Sequence, residues 1–336
     1  MSKNLKLPQS LYKIIFNAFF YYFSLLIIAI PSIVFSQDFP NHPIKIIVPY
    51  GPGGVTDITA RTIAPYLSQY LSQNIIIDNR PGGSTMIGTE AVIRSQNDGY
   101  TLLLNSGAAM SANPSLFKKV PYDVIKELIP ISLLTTVPYV LVVSNSLPVT
   151  SPQDFINFAK SHNGSLNYSS AGNGSGNHLS AELIMISASI KAQHIPYKSG
   201  SEMVMAVISG QVSFSVSALP SASAQIKSGN LKAIALTSRD RSSSQPNIPT
   251  LNETVLPNFN LTEWLGFFAP NGTSANIIDK LSIACKQALL NPELIDKLKV
   301  IGAEINYKDG SELSKLLKAD VLRWNKLAQD VKFEMQ

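Results

Sequence analysis

The sequence predicts an α/β protein made of two similar units, with mostly parallel strands. Three observations carry this. Short apolar runs alternate with helix-period segments along nearly the whole chain. Two of the runs, IKIIV (44–48) and LNYSS (166–170), lead through glycine-rich loops into helical patterns. Two strongly apolar runs, YVLVV (139–143) and WLGFFA (264–269), bracket the second unit and are candidate crossovers between domains.

The elements follow in order. Residues 44–49 predict a strand. Residues 57–72 predict a helix, because Ala60, Ile63, Ala64, Leu67 and Leu71 fall on one face. Pro65 lies inside it and is expected to kink it or shift its start. A strand at 74–78, a helix at 86–95 and a strand at 100–104 complete the first series. After the run at 139–143, Ser151-Pro152-Gln153-Asp154 has the form of a helix N-cap with proline in the first turn. The second unit opens with the strand 166–170, the loop AGNGSGN (171–177) and a helix at 178–190. Short strands are expected at 194–196, 212–216 and 231–237, and helices at 202–209 and 222–228. Residues 239–250 form a polar, proline-punctuated loop. The C-terminal part is expected to be helical at 275–290, 292–301 and 311–331. The last of these places Leu313, Leu317, Val321, Trp324, Ala328 and Val331 on one face.

The 336 residues, 45% apolar and 15% charged, suit a folded chain of about two domains. Lys3, Lys6 and Lys13 are the only charges among residues 1–36. Without them the 27 basic residues fall to 24, against 22 acidic ones, so a nucleic-acid-binding surface has no compositional support. The three lysines precede an uncharged run at 14–35, and Val34-Phe35-Ser36 fits an export-signal cut after Ser36. The run also approaches membrane-spanning length, so an uncleaved anchor is the competing expectation. Cys285 is the single cysteine, which excludes an intramolecular disulfide and a cysteine-rich metal site.

No catalytic set emerges. Ser175 has Asn173 and Asn177 where a nucleophile elbow needs glycines. The four histidines, His42, His162, His178 and His194, form no metal-ligand pair at helical spacing. His178, beside the second glycine loop, is expected to pack or hydrogen-bond at a helix start rather than act as a base. Ser115–Lys118, Ser165–Asn167 and Lys198–Gly200 match, in order, the short motifs of penicillin-interacting serine enzymes. Ser115, however, follows Asn113-Pro114 in a polar break, and the last two motifs are close together. An exported serine hydrolase is therefore a minor alternative.

Two glycine loops remain: Gly51, Gly53 and Gly54 before one helix, and Gly172, Gly174 and Gly176 before the other. The first lacks the Lys-Ser/Thr end of a P-loop and the spacing of a dinucleotide fingerprint. Glycine serves turn geometry wherever a strand reverses into a helix. Two such loops at matching places also suit an anion, because helix-start N–H groups attract one. Each helix end contributes about 0.3–1 kcal/mol, and each hydrogen bond to a charged group about 1.5–3 kcal/mol. Micromolar affinity, about 8 kcal/mol, is reachable that way without a buried arginine.

From residue 39 onward the chain resembles the Bug (TctC-like) substrate-binding proteins of tripartite tricarboxylate transporters. The resemblance rests on FPNHPIKIIVPYGPGGVTDITAR, IIIDNRPGGSTMIGTEAV, DGYTLLL, YDVIKELIPISLL, NYSSAGNGSGNHLSAEL, IPYKSGSEMVMAVISGQV, LKAIALTSRDRSSSQPNIPTLNE and WLGFFAPNGTS, in that order. It implies a two-domain periplasmic-binding-protein (Venus-flytrap, type II) fold with two crossover strands. Domain 1 would comprise 37–138 plus 263–336 and domain 2 residues 139–262, after a signal peptide at 1–36. It implies a monomeric periplasmic binding protein without catalytic activity, cofactor or metal. Its ligand would be a small carboxylate, delivered to the membrane subunits of a tripartite transporter or, alternatively, to a sensor receptor. The matched ligand loops are Tyr50, Gly51, Gly53 and Gly54 with Asp57, and opposite them Ser169, Ser170, Gly172, Gly174 and Ser175. Asn105 and Ser106 would form a third wall. Asp57 either caps its helix or orients a ligand group. Ser84 and Thr85 stand where the family commonly has glycine, and Ser213 and Ser217 where it often has aspartates. With those aspartates absent, the expectation is a carboxylate without an amine, and Ser217 joins the candidate ligand contacts.

Overall fold

The computed structural model describes residues 12, 13, 16–19 and 39–331. The expected export signal and its cut after Ser36 lie, apart from six positions, outside the described residues. Among the described residues no helix is long and apolar enough to cross a membrane. From Pro40 onward the chain forms one compact unit.

Two sets of three parallel strands flank a shared antiparallel centre. In the first set, β1 (Ile44–Val48) pairs with β2 (Ile75–Asn79) and β3 (Thr101–Ser106). In the second, β5 (Asn167–Ser170) pairs with β6 (Gln193–Pro196) and β7 (Phe214–Ala218). β4 (Leu128–Val143) joins them. Its first part pairs antiparallel with β9 (Thr262–Pro270) and β10 (Glu304–Asp309), and its last five residues pair with β7 and β8 (Lys232–Leu236). β9 also closes against β3. Parallel pairing thus holds only for the two outer sets.

β4 is a 16-residue strand, far longer than the expected run at 139–143. It changes partners at Pro138, the last residue in register with β9, while Tyr139 is the first in register with β7. Proline has no N–H to give to a ladder, so a strand can leave one partner there without orphaning a donor. Thr237 fastens the same point. Its N–H donates to Tyr139 O at 2.9 Å and its hydroxyl to Leu261 O at 2.7 Å. The chain therefore returns to the first set beside the strand that left it. β9 carries the chain back into the first set, where it pairs with β3 and with the 128–138 part of β4.

Each half has its own core. Ile47, Leu103, Met110, Leu133, Phe268 and Leu317 pack in the first. Val140, Val142, Met203, Val207 and Leu236 pack in the second. Each fully buried side chain of this kind contributes about 1.5–3 kcal/mol. The Val55–Leu71 helix starts two residues earlier than expected, at an extended Gly54, and runs through Pro65 unbroken. Asn113-Pro114 does not break the chain either: both lie in a Gly107–Leu116 helix capped by Ser106. β10 falls in the gap left between the expected helices at 292–301 and 311–331, where no strand was expected.

Candidate ligand-binding site

Five strands end beside helix starts at one place. β1 leads to the Val55–Leu71 helix, β3 to Gly107–Leu116, β5 to Gly176–Ala188, β6 to Gly200–Ile208 and β7 to Leu219–Lys227. Carboxyl ends of strands are where ligands bind in such sheets. Ser106, Ser175 and Ser199 cap three of these helices through their hydroxyls. Gly54 and Ala218 occupy the cap positions of the other two, with no side-chain cap bond.

An outer cleft of about 190 Å³ lies among Tyr50, the Gly82–Thr85 stretch, Gly172–Asn173, Ser175 and Tyr197–Lys198. An inner cavity of about 20 Å³, room for about one water, lies deeper. Tyr50 and Ala171 line both. The inner walls include Gly54, Thr56, Ser106, Gly176, Asn177 and Glu263. Thr56 and Thr85 are buried, and their hydroxyls have no hydrogen-bond partner among the described residues. Both belong to residues lining these cavities. Leaving a buried hydroxyl unpaired costs about 1–3 kcal/mol, so each is a donor waiting for an acceptor.

The two halves touch across the mouth. Gly51 N–H donates to Lys198 O at 3.3 Å and Ser201 Oγ to Pro52 O at 3.0 Å. A Cβ on Gly51 would stand 3.0 Å from Ser199 Cβ, and one on Gly53 2.9 Å from Ser201 Oγ. The glycines of the first loop thus allow close approach to the 198–201 loop, and Gly53 also has φ +79°.

The other expected residues divide clearly. Tyr50, Gly54, Ser106, Gly172 and Ser175 line the cavities. Asp57 does not: its carboxylate accepts from Gly53 N–H, Arg61 Nε and Asn79 Nδ2, all within 3.0 Å, and locks the loop. Asn105 bonds Thr89 and the Ser106 N–H behind the wall. Ser169 donates to Met203 O, and Ser217 to Ala218 O. Ser170 bonds His194 Nε2 at 2.6 Å and receives Gly172 N–H. Gly174 faces Asn113 and Phe117. Ser115 donates to Asn325 and Ser165 to His162 O, and none of these residues lines the cleft.

His178 takes the expected helix-start role. Its Nδ1 accepts Gly174 N–H at 3.1 Å, and its ring stacks on His194 at 4.1 Å. Burial, with His194 beside it, pushes the His178 pKa down to about 3, and burial pushes His194 down to about 4. Glu263 was not foreseen. Its Oε1 accepts from Ala108 N–H and Trp264 N–H at 3.1 and 3.2 Å, and Oε2 accepts from the Tyr139 hydroxyl. Burial, partly offset by these bonds, pushes its pKa up to about 7.

Sequence signals existed for some of the missed walls. Ser199 and Glu202 form an S-x-x-E start to the Gly200–Ile208 helix, a third strand–glycine–helix unit. Gly82 and Gly83 follow β2 by the same logic. Nothing local marks Glu263, which reaches the cavity only through the pairing of β9 with β3 and β4.

The fold and a cleft walled by helix starts are those of a periplasmic-type solute-binding protein. A family described as "Tripartite tricarboxylate transporter family receptor" matches residues 59–333. Protein BugT of Bordetella pertussis (strain Tohama I / ATCC BAA-589 / NCTC 13251) is 34% identical over 292 residues, covering 87% of this chain and 90% of BugT. The structure of periplasmic binding protein BugD is similar with a TM-score of 0.85 and 29% identity, covering 89% of this chain and all of that one. R. palustris Rpa4515 with adipate has a TM-score of 0.85 and 30% identity, covering 87% and 98%. The chain belongs to the tripartite tricarboxylate transporter receptor family, whose members are binding proteins.

Proposed function

We propose that this chain captures a small carboxylate between a domain of residues 37–138 plus 263–336 and a domain of residues 139–262. The observation that carries the reading is the convergence of five helix starts and two unpartnered, buried threonine hydroxyls on one cleft. Apart from Glu263 in the inner wall, such a cleft supplies mainly N–H and O–H donors. Among the described residues, Lys198, exposed at the outer rim, is the only cationic side chain lining either cavity. Two or three charge-assisted hydrogen bonds at about 1.5–3 kcal/mol each, with about 0.3–1 kcal/mol per helix end, reach micromolar affinity. The adipate bound by the R. palustris protein is a ligand of this class.

The protein acts as an exported, monomeric, non-catalytic receptor in the periplasm. It hands its ligand to the membrane subunits of a tripartite transporter. The donors of the cleft are already aimed and need no cofactor. The test is a thermal-shift screen of purified protein against aliphatic di- and tricarboxylates, aromatic acids and amino acids. Ligand at a hundred times Kd should add about 2.7 kcal/mol of stability. A screen in which no carboxylate shifts the transition would refute the reading.

A further inference from the structure

The inner cavity contains an acid for which carboxylate capture has no use. Glu263 lines it and is buried, and among the described residues no lysine, arginine or histidine lines the same cavity. Its bonds come from two backbone N–H groups and the Tyr139 hydroxyl, none of which carries charge. Gly176 presses against the same pair: a Cβ there would collide with Tyr139 Oη and Glu263 Oε2. The start of the Gly176–Ala188 helix therefore faces Glu263 directly. Ionised Glu263 places a negative charge where helix starts would otherwise meet a ligand anion.

If the ligand is a carboxylate, as proposed above, and sits in the outer cleft, it borders the inner cavity at Tyr50 and Ala171, and its charge meets that of Glu263 across a desolvated space with room for about one water. Two carboxylates in such a space do not both ionise; one keeps a proton. We propose that Glu263 is a specificity-determining acid of the cavity, and that a ligand carboxylate binds together with one proton, which Glu263 carries. The proton comes from solvent and goes to Oε2, since Oε1 holds two N–H donors. The ligand stays ionised, and no covalent bond is made or broken.

The groups around Glu263 leave it the titrating member. Tyr50 from the end of β1 and Tyr139 from β4 are both pushed upward, chiefly by burial, and stay neutral. Ser106 is uncharged. On the far side, Asp320 and Arg323 of the Gly310–Val331 helix line a neighbouring cavity and lie 3.7 Å apart, so their charges offset. His178, two residues along from Gly176, is held neutral above mildly acidic pH.

The test is calorimetry with adipate and succinate between about pH 7 and 9, where both acids are fully ionised, in phosphate and in Tris. Above the Glu263 pKa of about 7, Kd should rise about tenfold per pH unit. The buffer dependence of the heat should report uptake of close to one proton at about pH 8. Glu263→Gln should bind with no proton uptake and a flat profile. Should that variant fail to fold, Tyr139→Phe removes a donor to the ionised form and should move the onset of the slope to higher pH. A pH-independent Kd without proton uptake, or an unchanged slope in Glu263→Gln, would overturn the proposal. So would aspartate binding tighter than succinate without proton exchange, which makes Glu263 a receiver for an ammonium group. If neither acid nor any other carboxylate binds, the carboxylate reading fails and the proposal falls with it.

Discussion

Acidification from pH 7 to pH 5 should cost the fold stability through His178. The imidazole is buried, and its Nδ1 accepts Gly174 N–H, so the fold holds it neutral where the unfolded chain takes up a proton. A histidine in the unfolded chain titrates at about 6.5, against about 3 in the fold. The folded value is the lower one. The contribution is therefore present above the unfolded value and lost as pH falls toward the folded one. By pH 5 the loss amounts to about 2 kcal/mol. Glu263 pushes the other way. Its folded value of about 7 exceeds the ordinary 4.5, so acidification over the same range restores about 2 kcal/mol. His194, held at about 4 in the fold, takes away about 2 kcal/mol more, so the wild-type profile falls for two histidines at once and does not isolate His178. His178→Asn isolates the effect, since the amide oxygen can accept Gly174 N–H but does not titrate. Urea unfolding at both pH values should show the variant less stable than wild type at pH 7, with the gap narrowing by about 2 kcal/mol at pH 5. A gap that stays constant within about 0.5 kcal/mol would refute a buried, neutral His178.

Gly51→Ala, at a position free of positive φ, should push on Ser199 and Lys198 O and lose the 3.3 Å bond across the cleft. Affinity for the acid found in the screen should drop about 3- to 10-fold, the equivalent of one neutral hydrogen bond, at unchanged unfolding midpoint; undiminished affinity would show that this contact is no part of the bound state. Thr56→Val removes an unpartnered buried hydroxyl, so the ligand-free protein should keep or gain stability while affinity falls about tenfold or more. A clear loss of stability would mean the hydroxyl has a partner in the protein. Mature protein from the periplasmic fraction should begin at Gln37; intact mass showing the full-length chain in membranes would establish the anchor instead.

The alternation of apolar runs with helical faces located β1, β2, β3, β5 and most helices, because each is a local pattern. It failed where an element draws its stability from elsewhere. The 128–138 part of β4 contains Pro130 and Pro138 and reads poorly as a strand, yet it is held between β9 and β10 with three register irregularities, two against β9 and one against β10. β10 is half-exposed along its length and carries little apolar signal. The site divides in the same way. The glycine loops were legible, since close approach and positive φ need glycine there. Asp57 carries the same letter whether it locks its own loop or meets a ligand. Only its three donors, Gly53, Arg61 and Asn79, decide between the two.

That decision bears on ligand charge. The expectation of a ligand without an amine rested on missing aspartates and on Asp57 being the only acid in the matched loops. Asp57 is indeed spent on its own loop, and Ser217 points to a neighbouring carbonyl rather than into the cleft. The premise nevertheless omitted Glu263, which lies two residues into a strand over 200 positions from the first glycine loop. An amine and a proton are alternative ways of neutralising the same buried carboxylate. The surroundings favour the proton. A partly protonated acid near pH 7 needs no cation brought to it, and the helix starts that converge on the cavity oppose an ammonium as strongly as they attract a carboxylate. The geometry therefore supports the same ligand class as the sequence did, for a different reason: an acid that takes up a proton, rather than an absence of acids.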